Sequence, residues 1–377
     1  MVTGAFYPKV DGSVIAVGTV MKELVRKGHQ LTLLTRGYGD FRDSEEWNGV
    51  HVERVSQHGF SLISRFLLVI DQVRRGTQLI RTNQFDVVHA HGFASLLTAE
   101  ILRLFRNVPI VVTFHGLQRL WNKEWGMAWF LKFYSFLPIE GILARRASLV
   151  VAQSMKLKEA LTRLYRIGPD TIKVIPNPVD ITAFRFHPPM RQSNVVLFVG
   201  TIGTVYGPDL LVRAAEHVLR RIPSARFVFV GTGPAVTHVT ELARALGVEH
   251  HTEMVGRIGD RELLETYYAS SQMLVIPFKG QGGYILTLAA LESMAVGRPV
   301  IIGYETDDTL GVIRSSSNPH ILAERIMEIL FLNDWEYASL ARGARSFAEK
   351  SSSAEVASQV EKAYFRLVGQ PRRLAPS

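Results

Sequence analysis

Short, nearly continuous apolar runs alternate along this chain with segments whose apolar positions recur every three to four residues. Runs at 29–35 (HQLTLLT), 86–91 (DVVHAH), 109–114 (PIVVTF), 149–152 and 172–175 read as buried strands. Segments 18–27, 93–105 and 156–165 between them read as helices, the first stopped by Gly28. Met1-Val2-Thr3-Gly4 reads as the end of a strand, so either that strand is very short or the true start lies upstream. An aperiodic, proline-rich stretch, VIPNPVDITAFRFHPPMRQSN, reads as an interdomain connection. The alternation then restarts, with strands at 195–199, 226–230, 273–277 and 299–302 and helices at 209–221, 236–246, 260–269 and 286–295. Further helices reach the C-terminus.

Strands joined through helices make mostly parallel sheets covered on both faces. The expected class is therefore α/β, with two Rossmann-like, doubly wound domains. We expect an N-terminal domain at 1–185, a C-terminal domain at 186–345, and helices at 346–377 crossing back to the first. Ligands of such sheets lie beyond the carboxyl ends of the strands, so the site is expected in a central cleft that the two domains face.

A length of 377 residues suits two domains, and 47% hydrophobic with 20% charged residues excludes a disordered or low-complexity chain. The net charge of +9 is uneven: residues 1–190 carry 24 Lys+Arg against 15 Asp+Glu, and residues 191–377 carry 19 of each. A basic first half attracts polyanions or anionic lipid. No nucleic-acid motif or Lys/Arg run accompanies it, so nucleic acid is not an expected partner. Cys is absent, which excludes disulfides, thiolate metal sites and a Cys nucleophile and fits a reducing cytoplasm. No metal-ligand cluster is evident. The richest apolar stretch, 128–143, is broken by Lys132, Pro138 and Glu140, too soon for a membrane span. No secretory signal is apparent at the N-terminus.

Gly200 follows one apolar strand directly, and Gly231 and Gly233 follow another. Glycines there admit a ligand to backbone N–H groups at a helix start, although each reads equally as a plain tight turn. More specific is the ordered succession YPKVDGS, KGHQLTLLT, DVVHAHG, VVTFHG, VIPNPVD, VLFVG, FVGTGP, VGRIGDREL, VIPF and LESMAVGRPVI. This succession resembles the retaining glycosyltransferases of family 4, the group 1 transferases with the GT-B fold, over nearly the whole chain. The resemblance implies transfer of a glycosyl unit from a nucleotide-diphospho-sugar to a hydroxyl acceptor, with retention and without a cofactor. It implies a nucleotide sugar as partner and a lipid-linked or saccharide acceptor.

The resemblance also assigns roles. Gly12 and Ser13 fall in the loop that reaches the donor diphosphate and sugar, and Gly200, Thr201 and Gly233 in the donor-binding turns. His115, after Thr113-Phe114, matches the histidine of the sugar subsite and is the catalytic candidate. His91 ends the preceding strand and reads either as a ligand-facing residue or as a loop-positioning one. Glu292 matches the second glutamate of the E-x7-E motif, a ribose clamp, against a plain solvated helix residue.

Three departures bear on chemistry. Tyr284 stands where the first glutamate of the pair belongs, Thr201 replaces an Arg, and Tyr206 replaces a Lys. That Arg and Lys neutralise the diphosphate in the family. Lys279, Arg257 and the loop glycines Gly282 and Gly283 are candidate substitutes, the two bases reading equally as solvated charges. Trp121, Trp125 and Trp129 recur every four residues among Arg119, Lys123 and Lys132. That stripe reads as core packing or as a face resting on an anionic membrane, which would make the protein peripheral to the inner face of the cell membrane. The alternative function is a glycan- or lipid-binding pseudoenzyme with a degenerate donor site. A dehydrogenase is excluded, because no G-x-G-x-x-G is followed by a ribose acid.

Overall fold

The computed structural model of the chain describes residues 1–9, 11–39, 43–55, 62–116, 137–188, 193–279, 284–304, 307 and 310–369. The described residues form two compact units: 1–116, 137–178 and 353–369 make the first, and 179–352 the second.

The first unit holds β1 (Val2–Thr3), α1 (Gly12–Arg26), β2 (Leu31–Arg36), β3 (Ser44–Trp47), β4 (Val50–Val55), α2 (Leu62–Thr82), β5 (Val88–His91), α3 (Phe93–Arg103), β6 (Ile110–Phe114), α4 (Leu137–Arg146), β7 (Leu149–Ala152), α5 (Met155–Tyr165) and β8 (Ile172–Val174). Its eight strands run in the order β3-β4-β2-β1-β5-β6-β7-β8, parallel throughout except for β3. The strand order reverses between β1 and β5, which puts a topological switch point there.

Two features differ from the apolar pattern. First, α1 starts at Gly12, six residues earlier than expected, because the Asp11 side chain caps it by accepting from the Val14 N–H at 3.0 Å. Second, the β3–β4 hairpin turns on Asn48-Gly49, with φ of 49° and 77°. Both residues of a two-residue hairpin turn of this kind need positive φ, which Asn and Gly tolerate best.

The second unit holds β9 (Val195–Val199), α6 (Pro208–Leu219), β10 (Arg226–Val230), α7 (Val236–Ala245), β11 (Thr252–Gly256), α8 (Arg261–Ser270), β12 (Met273–Ile276), α9 (Leu288–Val296), β13 (Val300–Ile302), β14 (Val312–Arg314), α10 (Pro319–Leu330) and α11 (Asp334–Lys350). Its parallel strands run β11-β10-β9-β12-β13-β14, the 3-2-1-4-5-6 order of a dinucleotide-binding sheet. The order reverses between β9 and β12. Strands β9, β12 and β13 are buried on both faces, as helices packed on either side require.

The aperiodic stretch is fixed to the second unit from Val179 onward. Arg298, only 1% exposed, donates to the carbonyls of His187 (2.9 Å) and Ala269 (2.6 Å). Arg345 donates to those of Phe184 (3.1 Å) and Ala295 (2.7 Å). Guanidinium groups thus satisfy backbone that has no ladder partner. The last helix, α12 (Ser353–Val368), belongs to the first unit, where Lys27 and His29 both bond Glu361, at 2.7 and 2.9 Å. No described helix is long and apolar enough to cross a membrane.

Candidate active site

In the first unit, the strand ends carry a continuous row of polar side chains. His91 ends β5, His115 follows β6, Gln153 follows β7 and Asn177 lies beyond β8, so four neighbouring strands each contribute one. His91 Nδ1 lies 3.0 Å from His115 Nε2, and Gln153 Nε2 lies 3.1 Å from His115 Nδ1 and also donates to Asn177 Oδ1. The amide of Gln153 has two hydrogens, enough for both acceptors. With His115 Nδ1 accepting, its proton sits on Nε2 and goes to His91 Nδ1. His91 Nε2 is then a buried donor with no hydrogen-bond partner among the described residues.

Burial is the main cause that pushes both rings towards the neutral form. The His115 pKa falls to about 4, with the nearby Asp11 opposing, and His91 falls well below its ordinary value. The arrangement offers neutral hydrogen-bonding groups, suited to sugar hydroxyls rather than to phosphate. A cavity of about 30 Å³ lies against this row, lined by His89, His91, Thr113, His115 and Gln153 and by apolar residues of α1 and α12. Gly12 and Ser13 stand exposed at the α1 N-terminus. The space where a Gly12 side chain would project is open, and Ser13 Oγ donates to Asp11 Oδ1 at 2.6 Å.

In the second unit, three features flank the switch point between β9 and β12. Gly200 follows β9 with φ of 150°, and nothing lies within 4 Å of where its Cβ would be. Gly233 is confined for another reason: a Cβ there would overlap the Ile202 carbonyl, so the turns after β9 and β10 meet backbone to backbone. Thr201 is exposed beside Gly200. Gly207, with φ of 68°, caps α6 without any side-chain acceptor; Pro208 brings no N–H, and the Leu210 and Leu211 N–H groups bond the Gly207 carbonyl at 3.0 and 3.3 Å, leaving the Asp209 N–H near the end of β9.

Lys279 is the third feature. Its N–H donates to the Val205 carbonyl at 2.7 Å, which draws the segment after β12 against the turn at Thr204–Tyr206. Tyr206 itself points into aromatic packing, edge-on to Phe278 at 6.0 Å, with Phe278 edge-on to Tyr304 at 5.3 Å. Tyr206 is thus a partly buried aromatic, and Lys279 places an ammonium at the adjacent strand end. Lys279 Nζ is paired with Asp209 in the first turn of α6. Arg257 is exposed after β11, with no ion pair among the described residues. β11 lies two strands from β9, about 10 Å away at normal strand spacing.

Glu292 sits on α9, whose N-cap Thr287 accepts from the Ala290 N–H at 3.2 Å. Its Oε2 accepts from the buried Tyr268 hydroxyl at 2.9 Å, leaving Oε1 without a partner among the described residues. Burial raises the Glu292 pKa, while the Tyr268 hydroxyl and the charge of Arg261 lower it. Tyr284 has φ of 40°, left-handed backbone that is strained for a non-glycine residue.

Gly282, Gly283, Trp121, Trp125 and Trp129 lie outside the described residues. Gln153, Asn177, Tyr268 and Asp209 are the site residues that the sequence reading does not single out. Only Asn177 had a signal there, inside VIPNPVD.

Two doubly wound units with polar groups at their switch points define a GT-B transferase architecture. Residues 10–183 match the family described as Glycosyltransferase Family 4, and residues 193–330 match Glycosyl transferases group 1. The chain belongs to the group 1 glycosyltransferases. It is 24% identical over 317 residues to an uncharacterised glycosyltransferase of Methanocaldococcus jannaschii, covering 80% of this chain and 79% of that protein. It is 28% identical over 312 residues to a D-inositol 3-phosphate glycosyltransferase of Xylanimonas cellulosilytica, covering 74% and 72%. Among solved structures, sucrose-phosphate synthase of Thermosynechococcus elongatus superposes with a TM-score of 0.80 at 20% identity, over 97% of this chain and 99% of that one. Anabaena HepE in complex with UDP and glucose gives 0.75 at 17%, over 96% and 98%.

Proposed function

We propose that the protein is a retaining glycosyltransferase that moves a sugar from a nucleotide-diphospho-sugar to a hydroxyl acceptor. The observation that carries this reading is the second unit's switch point, where Gly200 leaves open space after β9 and Lys279, packed on Gly207 at the start of α6, brings an ammonium to the end of the neighbouring β12. The acceptor oxygen forms the new bond to the anomeric carbon as the bond from that carbon to the diphosphate oxygen breaks. The acceptor proton passes to the departing diphosphate on the same face. Lys279 takes up the charge that grows on the leaving group, and charge-assisted contacts of that kind carry much of the work of phosphate departure. Glu292 receives the ribose hydroxyls through Oε1, and His115 and His91 bind the sugar as neutral partners.

Anabaena HepE, crystallised with UDP and with UDP-glucose, supports a uridine diphosphate sugar as the first donor to try. The inositol 3-phosphate relatives support a soluble polyol acceptor. A membrane-borne, lipid-linked acceptor has its own support in α2, where Phe66 (65%), Leu67 (39%) and Ile70 (47%) are exposed on a helix that also presents Arg74 and Arg81. That location would make the protein peripheral to the membrane. The competing reading is a pseudoenzyme that binds glycan or lipid and no donor. A panel of nucleotide sugars with released nucleotide as readout tests the choice. Release from one donor in the presence of acceptor is expected. Binding of no nucleotide at all would establish the pseudoenzyme instead.

A further inference from the structure

His89 is 3% exposed, lies two residues before His91 on β5 and stands outside the strand-end row. A buried imidazole has two nitrogens to satisfy. Nε2 lies 2.7 Å from Thr113 Oγ1, and Nδ1 lies 2.6 Å from the hydroxyl of Tyr364. Tyr364 comes from α12, the helix that begins where the chain leaves the second unit. Burial raises the phenol pKa and lowers that of His89 to about 3, so the phenol keeps its proton and the imidazole is neutral. The Tyr364 and Thr113 hydroxyls can each donate or accept, so the two bonds hold the ring plane of His89 with either nitrogen carrying the proton.

The plane of His89 governs its neighbour. The His91 ring stacks on it at 4.4 Å and 26°, and the His115 ring lies edge to edge with His91, joined by the 3.0 Å nitrogen contact with centroids 5.3 Å apart and planes 26° apart. His91 can receive the His115 proton only while its ring lies in the plane of that contact, and the ring beneath it sets that plane. A phenylalanine would fill the same space as Tyr364 but would leave Nδ1 unpaired and the ring free to turn over.

We propose that Tyr364 is a positioning residue for the transfer reaction: through its hydrogen bond to His89 it holds the His91–His115 pair in register for the sugar. This rests on the reading of His115 as a sugar-subsite residue. The test uses the full chain, with imidazole 15N spectra and donor kinetics recorded for wild type, Tyr364→Phe and His115→Ala. Wild-type His89 is expected to show a single neutral tautomer. Tyr364→Phe is expected to mix the His89 tautomers, to move the His91 and His115 nitrogen resonances, and to lower kcat about ten-fold, with KM for the donor nearly unchanged. Ten-fold corresponds to roughly one net buried hydrogen bond. A mixture of His89 tautomers in the wild type overturns the proposal even if the variant does not fold. So do unmoved His91 and His115 resonances, or a wild-type kcat in Tyr364→Phe while His115→Ala is impaired. Full turnover by His115→Ala instead removes the underlying reading of His115, and the spectra still decide whether Tyr364 orders the stack.

Discussion

His91 and His115 meet nitrogen to nitrogen, Nδ1 to Nε2 at 3.0 Å, from the ends of neighbouring parallel strands. One proton serves that contact. A further proton on either ring would place a cation in a partly buried site, and burial already drives both pKa values down. The pair is therefore a rigid, neutral hydrogen-bonding unit near neutral pH. Under the function proposed above, the pair would orient a sugar and leave deprotonation of the acceptor to the departing phosphate.

Glu292, the proposed ribose clamp, has one carboxylate oxygen without a partner among the described residues, the other accepting from Tyr268. Replacing it by Ala is expected to weaken nucleotide-sugar binding by roughly 1–3 kcal/mol, the range for a charged hydrogen bond left unmade. Titration calorimetry on both proteins measures this. Equal affinities would remove Glu292 from the ribose site.

Lys279 and Arg257 separate by position. Lys279 follows β12 at the switch point, whereas Arg257 follows β11, two strands from β9. Lys279→Ala is expected to lower kcat more than it raises KM, because leaving-group charge grows in the transition state. Arg257→Ala is expected to turn over close to the wild-type rate. Steady-state kinetics with the identified donor decide. Wild-type turnover by Lys279→Ala would exclude it as the replacement cation.

Much of the fold was legible because the second unit is regular. VVLFV is apolar throughout and RFVFV is so after its exposed Arg226, as strands buried on both faces must be, and their bounds agree with β9 and β10. The hairpin at 44–55 was missed although its Asn48-Gly49 turn is written in the sequence, because SEEW lacks the apolar run that marked the other strands. The site was legible only residue by residue. His115 stands beside a recognisable Thr113-Phe114, but Gln153 and Asn177 reach it only because β6, β7 and β8 are neighbours. Linear spacing carries no trace of that adjacency. Nor could it reveal that Phe278, by packing on Tyr206, carries its neighbour Lys279 to the turn at Thr204–Tyr206.

Gly233 and Gly12 give a contrast within the loops assigned to the donor. A methyl group at Gly233 would run into the Ile202 carbonyl, while at Gly12 it would enter open space. Gly233→Ala is expected to destabilise the protein by about 1–3 kcal/mol, as overpacking does, and Gly12→Ala by much less. Urea denaturation gives both values. Equal stability of the two variants would contradict the backbone contact between the turns after β9 and β10.

The first unit's affinity for lipid remains to be decided by α2, since the Trp stripe lies outside the described residues. Phe66, Leu67 and Ile70 are exposed near its start, Arg74 and Arg81 further along, and the whole excess of +9 lies in residues 1–190. An apolar patch beside basic residues suits shallow insertion among anionic headgroups. Each basic residue near such a surface contributes about 1 kcal/mol, and the attraction fades over a Debye length of about 8 Å at physiological ionic strength. The protein should therefore sediment with anionic vesicles at low salt, leave them at high salt, and ignore neutral vesicles. Phe66→Ser combined with Ile70→Ser should weaken the association without changing the salt dependence, because the charges stay in place. Sedimentation indifferent to lipid charge would argue for a soluble acceptor, in keeping with the inositol 3-phosphate relatives. Binding that survives both serine substitutions would take α2 out of the contact.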